Sequence, residues 1–76
     1  MDKIEVRHLL EVLSGWGDDL AIGIDYGKVV VTDRLAMVTS GVKVVADRSK
    51  VVSDLIAAEW DHAAVLMMLN DKAAGA

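Results

Sequence analysis

The residues best placed to do chemistry in this chain form two Glu-x-x-His spacings, Glu59 with His62 and Glu5 with His8. At i and i+3 both groups leave one side of a helix. Two such pairs, with one further glutamate from each of two more helices, hold di-metal carboxylate centres in four-helix bundles. The angular positions differ here. Glu59 and His62 fall inside an apolar arc, between Leu55, Ala63 and Leu66. Glu5 sits at the edge of its arc, and His8 points to solvent. Glu11 is the one other glutamate, and the middle of the chain reads as sheet. The four-helix setting is missing, so no metal is expected, and Glu59 and His62 stand as the sole metal-ligand candidates. The plainer expectation is that Glu59 pairs with an Arg or Lys from the middle of the chain while His62 hydrogen-bonds at the core edge, because a partly buried carboxylate needs a partner.

Other constellations carry less. Asp18-Asp19 has the makings of a cation site or an acid–base pair, but its place between a helix and a strand predicts a solvated turn. Asp61 and His62 are adjacent, and neighbours on a helix diverge by about 100°. Gly15-Trp16-Gly17 lacks the third glycine of a phosphate loop and follows a helix. With no cysteine, thiolate metal sites, disulfides and cysteine nucleophiles are excluded. The reading is a non-enzyme with no cofactor.

The elements that would position these groups follow from periodicity. Asp2 with Glu5 resembles a capping box, and Val6, Leu9, Leu10, Leu13 and Trp16 recur at helical spacing. Gly15 and Gly17 stop the pattern, predicting a first helix over 3–15. Leu20, Ile22 and Ile24 alternate with smaller or polar residues, and Lys28–Thr32 is β-branched. Asp25-Tyr26-Gly27 between them predicts a tight hairpin turn. Gly23 inside the first strand marks a bulge or a close backbone approach. Over 34–46 alternation predicts a second hairpin turning at Ser40-Gly41. The competing reading is a short helix capped by Asp33 and stopped by Gly41, then a strand over Val42–Val45. A last helix is expected from Arg48 to Asn70, capped by Asp47 or Ser49. On it Val52, Ile56, Trp60, Ala63 and Met67 form one row, with Val51, Leu55, His62, Leu66 and Leu69 beside it. The order is N-terminal helix, antiparallel β-meander of about four strands, long C-terminal helix. That is a small two-layer α+β domain over residues 1–72, with 73–76 a frayed tail.

At 76 residues the chain buries only about 60% of its unfolded surface alone. Yet its apolar content is 54%, and the run Ala63–Leu69 is apolar almost all round. No apolar run reaches the roughly 20 residues that span a bilayer. The second face of that run is therefore expected to meet protein. The interface expected is Trp60, Ala64, Val65, Met67, Met68 and Leu69, used in a homodimer or higher oligomer, with another protein bound elsewhere. Charge is patterned: 1–27 and 51–76 are net acidic and 28–50 is net basic, within an overall −4. Neutralisation within the fold or across a dimer explains this. Nucleic acid is not an expected partner, because the basic segment has no aromatic residue to stack on bases. A second reading is a phage or mobile-element inhibitor that binds a host protein through acidic surface. No signal segment is visible, and the expected compartment is the cytoplasm.

Overall fold

The computed structural model describes residues 3–15 and 19–75. The chain runs α1 (Val6–Ser14), β1 (Leu20–Asp25), β2 (Lys28–Asp33), α2 (Arg34–Thr39), β3 (Lys43–Asp47), α3 (Arg48–Ala57) and α4 (His62–Gly75). The sheet has three strands in the order β2-β1-β3, with both pairings antiparallel. This is a small α+β domain, with three strands among the described residues in place of the expected four.

The β1–β2 hairpin forms as its alternation predicts, pairing Asp25 with Lys28 across Tyr26-Gly27. Both turn residues have positive φ, 50° and 79°, the backbone that matches the twist of a two-residue hairpin. The second hairpin does not form. Asp33 accepts the amides of Leu35 at 2.9 Å and Ala36 at 3.3 Å, which starts α2 in spite of the β-branched residues that follow. Topology requires it too. Since β1 is central, the chain must cross from β2 to the far edge, and α2 is that crossover. The competing reading of this segment, a short helix then a strand, is the one the structure adopts.

Gly23 marks a bulge and a close approach together. The register with β3 shifts between Ile22 and Gly23, and a Cβ on Gly23 would lie 2.8 Å from both the Lys43 carbonyl oxygen and the Met37 sulfur. Met37 and Ala21 are buried there, so α2 covers the sheet face opposite the main core.

That core lies on the other face. It gathers Leu9 and Val12 of α1, Ile22, Val45 and Ala46 of the sheet, Val51 and Leu55 of α3, and Val65, Leu69 and Ala73 of α4. Val45 and Ala46 are consecutive yet both lie in that core, because the bulge turns Val45 inward.

The expected helix over 48–70 is broken. Twenty-three residues of straight helix measure about 35 Å, longer than the molecule's 33 Å principal extent. The break at 58–61 lets α4 fold back so that two rows cover one core. α4 continues to Gly75 with Ala73 buried, past the expected boundary at 72. At the other end Asp2, Trp16, Gly17 and Asp18 lie outside the described residues. The first turn of α1 is closed by another device: His8 is buried, and its Nδ1 accepts the Glu5 N–H at 2.8 Å. That bond draws the ring onto the helix and away from the solvent position expected for it.

Candidate functional site

The corner between α3 and α4 holds two consecutive non-glycine residues of positive φ, which occurs nowhere else among the described residues. α3 ends in a Schellman-type closure, with the Trp60 N–H donating to Leu55 O at 2.7 Å and the Glu59 N–H to Ile56 O at 3.1 Å. The left-handed position that glycine normally fills is Glu59, φ 54°, and Trp60 follows at φ 64°. Side chains at such φ cost roughly 1–2 kcal/mol each. Asp61 then caps α4, its Oδ1 accepting the Ala64 amide at 3.2 Å and its carbonyl the Val65 amide at 3.2 Å.

This geometry separates the Glu-x-x-His candidates. Glu59 lies in the turn and His62 opens α4, so no helix carries their spacing. Both are exposed. No ion pair among the described residues reaches Glu59, so the expected bridge to the basic segment is not made. The described residues contain no group of three or more His, Cys, Asp or Glu gathered as metal ligands. Asp19 serves Arg34: its Oδ2 accepts from Nε at 3.1 Å. That hydrogen bond, then the charge of Asp19, raises the Arg34 pKa further, so the guanidinium stays charged at any workable pH.

The expected interface residues fall into two sets. Val65 and Leu69 are at 0% and 1% exposure in the chain's own core. Trp60, Ala64, Met67 and Met68 are exposed, Trp60 at 57% and Met67 at 68%. Ile56 joins them, also exposed, at the end of an open groove along α3 lined by Arg48, Ser49, Val52 and Ser53. The groove was not expected, although its signal was present. Of the two apolar rows on the last helical segment, Val51, Leu55 and Leu69 of the second are buried. Ile56, Trp60, Ala63 and Met67 of the first are exposed.

The bases of the middle segment serve the fold. Arg48 donates through Nε to Val12 O and through Nη2 to Gly15 O, both at 2.7 Å, closing the C-terminal end of α1. Lys50 meets Asp54 Oδ1 at 3.0 Å. Asp54 Oδ2 is buried with no hydrogen-bond partner among the described residues. The charge pattern is thus partly neutralised within one chain. None of the described helices is long and apolar enough to cross a membrane. No protein-family model, curated protein or solved structure matches the chain.

Proposed function

We propose that the chain is a non-catalytic protein–protein interaction module that engages a different protein through the α3–α4 corner. The observation that carries this reading is Trp60, more than half exposed and set on two consecutive left-handed residues. Exposed tryptophan is costly to leave in water and is enriched among the residues that dominate binding energy. Ile56, Met67 and Met68 add exposed apolar side chains on the two helices that meet there, and methionine adapts to an irregular partner surface. Of the six residues expected to carry self-association through the C-terminal helix, Trp60, Ala64, Met67 and Met68 are exposed, while Val65 and Leu69 are committed to the core.

The test is affinity capture from the source cells with the wild-type chain and with Trp60→Ser and Met67→Ser variants. The expected result is one protein retained by the wild type, insensitive to moderate salt, and lost from both variants. Capture that collapses with salt and ignores both substitutions favours the acidic-surface inhibitor reading instead, because screened charges rather than apolar contacts would hold that complex. A solution mass that falls in the Trp60→Ser variant assigns the corner to self-association.

A further inference from the structure

The two edges of the sheet differ. β3 is guarded: its register is broken by the bulge at Ile22/Gly23, and Lys43 Nζ donates to Ala73 O at 3.0 Å, tying the end of α4 to the start of that strand. A bulge and a lysine are devices that keep an edge from pairing with another chain. β2 has neither. It is six residues of Lys-Val-Val-Val-Thr-Asp, pairs with β1 in unbroken register, and has no proline and no charge between its ends.

Which groups face outward follows from the turn. In a two-residue hairpin the flanking pair, Asp25 and Lys28, exchanges both hydrogen bonds, and bonded pairs then alternate along the ladder. Lys28, Val30 and Thr32 therefore bond inward to β1. Val29, Val31 and Asp33 direct their N–H and C=O away from it. No described backbone or side-chain group bonds those outward amides or the outward Val29 and Val31 carbonyls. An extended strand fills such a row, and the strand must be compatible with three successive valines.

We infer that the occupant is β2 of a second copy, paired antiparallel about a two-fold axis at Val30. Outward groups can meet only outward groups, so the paired residue numbers must sum to an even value. With Val30 opposite Val30, Val29 lies opposite Val31, Lys28 opposite Thr32, and Asp33 opposite Gly27. Every charge then faces an uncharged residue and the valines face one another. A shift one way puts Lys28 against Arg34, a like-charge pair. The opposite shift puts Val30 opposite Lys28, Val31 opposite Gly27 and Thr32 opposite Tyr26, which separates the valines and runs the pairing through both turn residues. The strand is self-complementary in one register, and the product is a continuous six-stranded sheet. This contact is remote in sequence from the α3–α4 corner and leaves that surface to its own partner.

Thr32 gives a test that spares the core, because it is exposed and meets Lys28 of the other copy twice by symmetry. Light scattering across a concentration series should show mass rising from 8.2 kDa toward twice that value. Thr32→Glu should tighten the dimer and Thr32→Lys weaken it, each by roughly threefold or more. The chain has no cysteine, so Val30→Cys supplies a second readout. Its pair sits at a non-bonded position with Cα atoms about 4.5 Å apart, within disulfide reach. It should cross-link far faster than Tyr26→Cys. A mass fixed at the monomer, a dimer indifferent to both Thr32 charges, or equal cross-linking at 26 and 30 overturns the inference. A dimer lost only in Trp60→Ser overturns it as well, and moves the copy-to-copy contact to the corner.

Discussion

Glu59 sits where a helix of this kind ordinarily ends in glycine, and its side chain has no ion-pair partner among the described residues to compensate. Replacing it by glycine removes the left-handed penalty without removing a contact. Glu59→Gly should therefore raise unfolding free energy by about 1 kcal/mol, read as a higher urea midpoint at unchanged slope. A loss of stability would mean that Glu59 makes a compensating interaction. If binding through Trp60 needs the corner held in this shape, the same variant should bind more weakly while folding better. Gly23 is the opposite case. A methyl there meets the Met37 sulfur, which can swing aside, and the Lys43 carbonyl, which is backbone and cannot. Gly23→Ala should cost about 1–3 kcal/mol in the same urea titration, whereas alanine at the solvent-facing Gly41, where no atom lies within 4 Å of a Cβ, carries only the price of its left-handed φ.

The elements that could be read from sequence are those whose signals are local. The β1–β2 hairpin was legible because its alternation and its Tyr26-Gly27 turn agree. α2 was legible only as a second choice, since Asp33 capping competes with the β-branched run from Val38 to Val45, and the winner is fixed by where the chain must go next. The break between α3 and α4 was hidden. No glycine or proline marks it, and the apolar periodicity runs through it without a phase change. The one local cue was Asp61, an N-cap residue type standing before the run that became α4. α1 ends by a remote device, Arg48, forty-odd residues from its start and legible only in three dimensions. Its guanidinium reaches two carbonyls at once from a fixed planar fork, which an ammonium cannot reproduce. Arg48→Ala should cost about 1.5–3 kcal/mol. Arg48→Lys should recover less than half of that by chemical denaturation, and full recovery would reduce the residue's role to its charge.

At the scale of the whole molecule, the first and last segments close the domain on each other. Ile4 and Ala73 belong to one core cluster, and a radius of gyration of 11.3 Å matches the value of about 11.4 Å expected for a compact domain of this length. The exposed site residues were visible in sequence as apolar excess, but not their sorting. Met67 and Leu69 are both apolar in one run, and only the angle at which α4 packs decides that one is outside and the other inside. What sets that angle is in part a single amide. Asn70 Oδ1 accepts the Ile4 N–H at 2.8 Å, and its Nδ2 donates to Ile4 O at 3.1 Å and to Leu66 O at 2.9 Å. This pairs both polar groups of a buried residue with a side chain sixty-six positions away, much as a neighbouring strand would. Asn70→Ala leaves those two backbone groups without partners and should cost about 2–3 kcal/mol. Asn70→Asp keeps the acceptor but loses the donor, and should fall between. Hydrogen exchange locates the effect: the amides of Ile4 and of the last turn of α4 should lose protection before those of β1. Uniform loss across the chain would instead show that the two ends are not a separable latch and that the domain opens as one unit.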